Sequence, residues 1–425
     1  MEFEMRIEKY FKNSQWAGVI TLGLGTVIAQ SINIIIQPFL TRLISPEELG
    51  IYNFIISMAN LIIPVASLKL SMLIVIESEE DNVDLLTDVS IFTVFLISSM
   101  YTLFIIIMLQ IGNNSFYNIG GLSLIIPLIV FTNGIRFIFA SHNNRYKKYS
   151  LMSKVDIIRE LIKGIMQIFS GIFGGGAFGQ SLGYALSPVA GVSIQAKDYL
   201  QRFKYRKKIK FKIILSIYKK YKKHILYLVP AQFINSFSYT LITTSVISLF
   251  SATETGYYSI SVMVLGLPLV LISNNVSRVY LQKIGKDYKE GKSVWPIYLS
   301  FIKVLGIMSA IGFSFLAIIA PNVSEFVFGN GYGEAGRYIT ILCFMYALRF
   351  IASSLMGGYI VFNRQRNDTI FQSLLVLSGA CVYIVTKKYN LNIYEFLELI
   401  SFSYGLIYML IIINLGYICR KSVFV

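Results

Sequence analysis

The sequence predicts an all-α integral membrane protein with about twelve transmembrane helices, arranged in two six-helix bundles that are parallel repeats. Three observations predict this fold class: the composition, the length of the apolar segments and the distribution of basic residues. Of the 425 residues, 55% are hydrophobic and only 14% are charged, whereas a soluble protein carries about 25% charged residues. Such a composition is typical of a chain that lies in a bilayer.

Twelve segments are long enough to cross about 30 Å of hydrocarbon as a helix. They cover approximately residues 16–40, 50–76, 89–111, 119–141, 150–173, 177–196, 225–250, 256–281, 295–320, 337–362, 369–387 and 398–418. The fifth is the most charged, and an amphipathic helix on the membrane surface is its alternative. Losing this span would place the basic segment 197–223 outside the cell, so the sequence favours a span.

The basic residues predict that both termini lie in the cytoplasm. With this orientation the cytoplasmic segments carry 27 Lys and Arg residues and the outer loops carry 4, as the positive-inside rule requires. The cytoplasmic residues include Arg6, Lys9 and Lys12, and also Arg145, Lys147, Lys148 and Lys154. The net charge of +16 would also suit nucleic acid. Because the charges lie mainly in short loops between apolar segments, the sequence predicts no nucleic-acid partner.

A basic segment divides the chain into two predicted domains. Residues 1–196 form an N-terminal six-helix bundle, residues 197–224 a basic cytoplasmic linker, and residues 225–425 a C-terminal six-helix bundle. The linker is periodic enough to form an amphipathic helix on anionic headgroups, which attract each basic residue by about 1 kcal/mol.

Two short polar phrases recur half a chain apart. SPEELGIYNF (45–54) and SATETGYYSI (251–260) agree at four of ten positions, and AQSIN (29–33) and AQFIN (231–235) at four of five. Ser-x-x-Glu before an apolar segment is a capping box, and Pro46 suits the first helical position. Each pair occupies the same place in the two halves and has the same membrane orientation. This pattern predicts parallel repeats, which in transporters place a substrate site between two lobes.

The charges inside the predicted spans indicate an anion site. Seven are basic, namely Lys69, Arg136, Arg159, Lys163, Arg278, Lys303 and Arg349, and two are acidic, namely Asp156 and Glu160. Buried cations are costly in a membrane, and an uncompensated group of them suits a phosphate or pyrophosphate. The predicted diphosphate ligands are Arg349, Arg159, Lys163 and Lys69. Mutual pairing of Arg159 and Lys163 with the two carboxylates is the structural alternative.

Polar amides share one face of two predicted spans. Gln30, Asn33 and Gln37 follow helical spacing in the first, as do Gln232 and Asn235 in the seventh. Amides are costly against lipid, so these faces should meet protein or water. They are predicted to line a sugar-binding cavity, with packing between helices as the alternative.

Two segments resemble a known family. LTRLISPEELGIYNF (40–54) and FVFGNGYGEAGRYITIL (326–342) resemble bacterial polysaccharide-unit flippases, the Wzx-type branch of the multidrug/oligosaccharidyl-lipid/polysaccharide (MOP) exporter superfamily, which includes the MATE transporters. The resemblance implies two bundles around a cavity that opens alternately to each side. It also implies an undecaprenyl-diphosphate-linked oligosaccharide substrate, such as an O-antigen repeat unit, moved to the periplasmic leaflet of the bacterial inner membrane. Membrane lipids and polysaccharide polymerase machinery are the other partners expected.

Two other classes of function compete with this one. A cation-coupled multidrug exporter would use intramembrane carboxylates, and Asp156 and Glu160 are the ion-coupling candidates. A membrane polymerase or ligase would need acid–base groups, usually on a large outer loop; His142 and His224 both fall on the predicted cytoplasmic side. The sequence therefore predicts a protein that is not an enzyme and needs no cofactor or metal.

Overall fold

The fold is a series of long helices joined by short connections. The computed structural model describes residues 15–77, 79–112, 119–203 and 211–421, and no strand occurs within them. The first part contains α1 (Gln15–Leu43), α2 (Pro46–Ile62), α3 (Leu70–Ile76), α4 (Glu80–Gln110), α5 (Ile125–Arg145), α6 (Tyr149–Ile172), α7 (Gly176–Gln195) and α8 (Lys197–Phe203). The second contains α9 (Phe211–Lys220), α10 (Lys222–Leu249), α11 (Ala252–Pro268), α12 (Asn274–Lys289), α13 (Trp295–Phe328), α14 (Gly333–Leu355), α15 (Gly358–Val361), α16 (Gln365–Tyr389) and α17 (Ile393–Lys421).

The predicted all-helical membrane fold is confirmed. Each of the twelve predicted spans coincides with a helix or with two consecutive helices. Within the described residues, ten helices are long and apolar enough to cross a membrane. The two remaining predicted spans are α6, which carries the buried charges, and α7, which is rich in glycine and serine. The chain is therefore a multi-pass membrane protein.

The basic linker is helical where it is described. α8 and α9 cover its two ends, and α9 begins at Phe211 and ends at the basic pair Lys219 and Lys220. Residues 204–210 of the predicted linker lie outside the described residues, as do Arg6, Lys9 and Lys12.

The chain divides into two compact units. The first comprises Met1–Ile44 and Ile55–Ser236, and the second comprises Ser45–Phe54 and Phe237–Val425. The division falls within α10, whereas the two predicted domains meet at the basic linker. The start of α2 belongs to the second unit, far from it in sequence.

The second helix of each predicted repeat is interrupted at a proline. The segment predicted as one span over 50–76 ends its α-helix at Ile62, continues as a 3₁₀ turn (Ile63–Val65) around Pro64, and becomes helical again at Leu70. Its counterpart has Pro268 at the end of α11, followed by a π turn (Leu269–Ser273). Proline lacks the amide hydrogen that a continuous helix needs, which explains both interruptions.

Both capping phrases begin helices, as predicted. The Glu48 amide donates to Ser45 Oγ over 3.2 Å, and the Ser45 amide donates to Glu48 Oε2 over 3.3 Å, which completes a capping box. The Glu254 amide likewise donates to Ser251 Oγ over 3.1 Å. The Glu254 carboxylate differs, because it accepts a hydrogen bond from the Tyr338 hydroxyl.

The two phrases also pack against each other inside the second unit. A Cβ atom at Gly50 would overlap the carbonyl oxygen of Ala252, and a Cβ atom at Gly256 would overlap that of Pro46. Pro46 and Ala252 occupy equivalent positions in the two phrases, and so do Gly50 and Gly256. The contact is therefore reciprocal, as it is between surfaces related by a two-fold axis. This close crossing explains why each phrase carries glycine at that position.

Candidate functional site

A group of five charged side chains lies inside the first unit. α6 supplies Asp156, Arg159, Glu160 and Lys163 at helical spacings of three and four, and α5 supplies Arg136. Glu160 pairs with both Arg159 and Lys163, and Arg136 Nη1 lies 3.3 Å from Asp156 Oδ1. Three cations thus meet two carboxylates, which leaves one positive charge in excess.

The pairing in this group does not satisfy every donor. The Nε atoms of Arg136 and Arg159 are buried, and neither has a hydrogen-bond partner among the described residues. A buried N–H without a partner costs free energy that an incoming acceptor would recover. The group can therefore accept an oxygen ligand in addition to its own carboxylates.

Lys163 reaches across to the first helix. Its Nζ atom donates to Asn33 Oδ1 over 2.8 Å, and it lies 5.9 Å from the centre of the Tyr184 ring. The close approach of α6 to α1 depends on Gly164, because a Cβ atom there would overlap Ile36 Cδ1. Small residues allow such helix crossings in membrane proteins. A hydrogen bond thus connects Lys163, which is predicted to bind the diphosphate, with Asn33, which is predicted to bind the sugar.

Lys69 makes an equivalent link elsewhere in the first unit. Its Nζ atom donates to Gln232 Oε1 over 2.9 Å, and its carbonyl oxygen lies 3.3 Å from His224 Nε2. Lys69 has a φ of +62° and its neighbour Leu68 has a φ of +50°. Two consecutive non-glycine residues in the left-handed region are costly and are typical of functional sites. No described carboxylate pairs with Lys69.

Arg349 lies in a cage of tyrosines in the second unit. Its guanidinium carbon is 4.1 Å from the centre of the Tyr239 ring and 5.2 Å from that of Tyr346. Tyr258 and Tyr408 are close enough to interact with its charge, and the hydroxyls of Tyr239 and Tyr408 are 3.2 Å apart. Within the described residues, no carboxylate forms an ion pair with Arg349.

The cage is assembled from four helices. Tyr239 comes from α10, Tyr258 from α11, Tyr346 from α14 and Tyr408 from α17. Tyr346 precedes Arg349 by three residues on the same helix, so the two share a face. Rings stabilise the guanidinium through their negative faces, but they do not neutralise it. Arg349 thus keeps its charge, and its planar guanidinium has the geometry that suits an anionic ligand.

The remaining predicted residues are placed as follows. Gln30, Gln37 and Asn235 are partly buried in the first unit, and the side chains of the first two have no described hydrogen-bond partner. Of the ion-coupling candidates, Asp156 pairs with Arg136, and Glu160 is 5% exposed and pairs with both α6 cations. All the predicted diphosphate ligands except Arg349 belong to the first unit.

Tyr239 shares the predicted polar face of Gln232 and Asn235. The sequence did not assign a site role to Tyr258, Tyr346, Tyr408 or Arg136. Tyr346 could have been found from its helical spacing to Arg349. Tyr258 and Tyr408 offer no such signal, because each is more than fifty residues from Arg349 in sequence. Arg136 is mostly buried and pairs with Asp156.

Comparison with known proteins identifies a family and a fold. A family model described as "Polysaccharide biosynthesis protein" matches residues 39–336. A search of curated sequences finds no match.

Solved structures with the same fold are distant in sequence. An inward-facing multidrug resistance MATE family transporter of the MOP superfamily has a TM-score of 0.69 at 14% identity, over 94% of this chain and 98% of that one. The lipid II flippase MurJ, in an inward closed conformation, has a TM-score of 0.69 at 14% identity, over 94% and 87%. A MOP superfamily transporter from Pyrococcus furiosus, whose title reports a binding pocket of reversed polarity, has a TM-score of 0.56 at 14% identity, over 96% of each chain.

Proposed function

Because this chain belongs to the polysaccharide biosynthesis protein family, we propose that it moves an undecaprenyl-diphosphate-linked oligosaccharide across the bacterial inner membrane. The direction is from the cytoplasmic to the periplasmic leaflet, by alternating access, with both termini in the cytoplasm. The transported unit is a repeat unit of a surface polysaccharide, such as O-antigen. Among solved structures with this fold, one is named a lipid II flippase, which supports a lipid-linked substrate.

The proposal depends mainly on the surroundings of Arg349, which has no carboxylate partner among the described residues. An arginine inside a membrane is retained at a cost, and its usual partner is a carboxylate. Here the rings of Tyr239 and Tyr346 contact it instead. A diphosphate presents oxygens that match the two-donor geometry of a guanidinium. Arg349 is therefore assigned to the diphosphate.

Within the first unit, the proposed substrate-binding cations are Lys163, Lys69 and Arg159. Lys163 and Lys69 each hold an amide, Asn33 and Gln232 respectively, and both amides and cations can turn toward a ligand. Arg159 contributes a buried donor without a partner. Gln30, Gln37 and Asn235 are assigned to sugar hydroxyls, which amides bind by donating and accepting hydrogen bonds.

A cation-coupled drug exporter is the second candidate, because a multidrug transporter shares the fold. Asp156 and Glu160 would carry its coupling ions. Their pairing with Arg136, Arg159 and Lys163 argues against a cationic substrate at this place, since the group already has one excess positive charge.

Native mass spectrometry of the protein, purified in mild detergent from its own host, tests the proposal. We expect a bound species whose mass fits a polyprenyl diphosphate carrying sugars, and its mass would define the unit. Binding of organic cations, with no lipid-linked saccharide, would favour the drug exporter.

A further inference from the structure

An apolar cavity of about 720 Å³ lies in the first unit, and its lining includes none of the predicted substrate-binding residues. α4 forms one wall with Thr93, Leu96, Ile97, Met100, Tyr101 and Phe104. α9 contributes Tyr218, α10 contributes Lys222, Ile225 and Leu226, and the interrupted part of the second span contributes Ile62 and Leu68. From the structure we propose that this cavity binds one acyl chain of an anionic glycerophospholipid, whose phosphate meets Lys222.

The two ends of the cavity differ in polarity. At one end lies the hydrogen-bonded pair of Thr93 and Tyr218, whose hydroxyl oxygens are 2.7 Å apart, and Lys222 in the cavity lining follows Tyr218 by four residues in sequence. At the other end lie Met100 and Phe104, and Tyr101 uses its hydroxyl to bind the carbonyl of Met58 over 3.2 Å. One end can thus receive a headgroup, while the other is suited to hydrocarbon alone.

The length of the cavity fits one leaflet. Thr93 and Phe104 are eleven residues apart on α4, which corresponds to about 16 Å along the helix axis. This is close to half of the ~30 Å hydrocarbon thickness of a bilayer. By the predicted topology Lys222 lies at the cytoplasmic surface, so the lipid belongs to the inner leaflet.

Charge selects an anionic headgroup. Lys222 is exposed and forms no ion pair with any described residue, and neither do Lys219 and Lys223 beside it. Basic residues next to a membrane attract anionic lipids. In contrast to the diphosphate ligands, these lysines lie at the start of α10 and on α9, where a phospholipid headgroup can reach them from the bilayer. A lipid held here would fix the linker against α4.

Native mass spectrometry of delipidated protein with added phosphatidylglycerol or phosphatidylcholine, of the same acyl chains, tests this site. We expect one tightly held phosphatidylglycerol per protein and at least fivefold lower occupancy by phosphatidylcholine. Lys222→Ala should remove this preference, whereas Lys289→Ala, at an exposed lysine in the last turn of α12 and outside the cavity lining, should keep it. Equal occupancy by the two lipids in the wild-type protein would overturn the proposal.

A second variant tests the acyl chain separately from the headgroup. Met100→Trp should fill the cavity and lower phosphatidylglycerol occupancy at least fivefold, and Phe326→Trp, on the exposed surface of α13, should not. Thermal unfolding of each variant shows that the protein is folded when the lipid is lost. Full occupancy in folded Met100→Trp would contradict the site, as would displacement of phosphatidylglycerol by one equivalent of undecaprenyl phosphate, which would assign the cavity to the substrate tail.

Discussion

The two units of the molecule hold their buried cations in different ways. In the first unit Arg136, Arg159 and Lys163 pair with carboxylates on α6. In the second, Arg349 is surrounded by tyrosine rings and has no described carboxylate partner. A paired cation contributes mainly to the fold, because removing either partner leaves a buried charge. A cation held by rings stays available to an anion. The comparison therefore predicts that carboxylate pairing in the first unit contributes to stability, and that Arg349 is the proposed diphosphate contact whose loss affects transport most.

Glu160→Gln tests whether the ion pairs in the first unit stabilise the protein. This change removes the carboxylate shared by Arg159 and Lys163, so it should lower the free energy of unfolding by about 3–5 kcal/mol. Thermal and denaturant unfolding in detergent measures the loss. Glu290→Gln, at an exposed ion pair with Lys292, is the matched control and should change little. Adding Lys163→Met to Glu160→Gln should recover part of the stability; a fully stable Glu160→Gln protein would show that the group is not held by this pairing.

Arg349→Ala tests whether the cation without a described carboxylate partner is needed for transport. We expect transport of a diphosphate-linked saccharide to fall about 100-fold, equivalent to ~2.7 kcal/mol in the barrier, while the protein stays folded. Arg349→Lys should lie between, because lysine keeps the charge but loses the planar donors. Reconstituted vesicles measure the rate, and Arg278→Ala, at an exposed arginine of α12, is the control. Full transport by Arg349→Ala would remove this residue from the site.

Substitutions at Gly50 and Gly256 test whether segment 45–54 packs within the second unit. Gly50→Ala and Gly256→Ala should each lower the free energy of unfolding by about 1–3 kcal/mol, since the new methyl group meets backbone rather than a mobile side chain. Gly312→Ala lies on α13 with open space around it and should be neutral or slightly stabilising. Unequal effects of the two crossing variants would argue against a reciprocal contact.

Loss of the hydrogen bond between Lys69 and Gln232 should have the smallest effect on the free energy of unfolding. A double-mutant cycle with Lys69→Ala and Gln232→Ala should give a coupling free energy of about 1 kcal/mol, because both side chains are only partly buried. Unfolding of the four proteins measures it. Zero coupling would show that the hydrogen bond contributes nothing to the stability of the fold. Lys69 would then be as available to an anionic ligand as Arg349.

Local features of the helices could be predicted from the sequence, whereas contacts between residues far apart in the sequence could not. The helix caps at Ser45 and Ser251 and the helix start at Pro46 depend on residues within one turn, so their pattern is sufficient. The second capping box is incomplete, because the Glu254 carboxylate instead accepts from Tyr338, a residue that lies far away in the sequence. The helices follow from long apolar segments for the same reason. The interruption at Pro64 was missed, although proline carries the signal for it.

The site depends on contacts between distant parts of the chain. Lys163 and Asn33 are 130 residues apart, and Lys69 and Gln232 are 163 apart. Hydropathy and helical spacing show that each side chain is polar inside a span, but not which other helix it meets. The tyrosine cage of Arg349 has the same cause, since three of its four rings come from other helices.

The measurement that tests the central claim most directly uses the wild-type protein in vesicles. Two substrates are compared, a polyprenyl diphosphate-linked saccharide and the same saccharide joined to the polyprenyl chain without the diphosphate, and their appearance in the opposite leaflet is followed over time. We expect rapid movement of the diphosphate-linked lipid and little movement of the neutral one. Equal rates for the two, or movement of neither alongside export of organic cations, would contradict it.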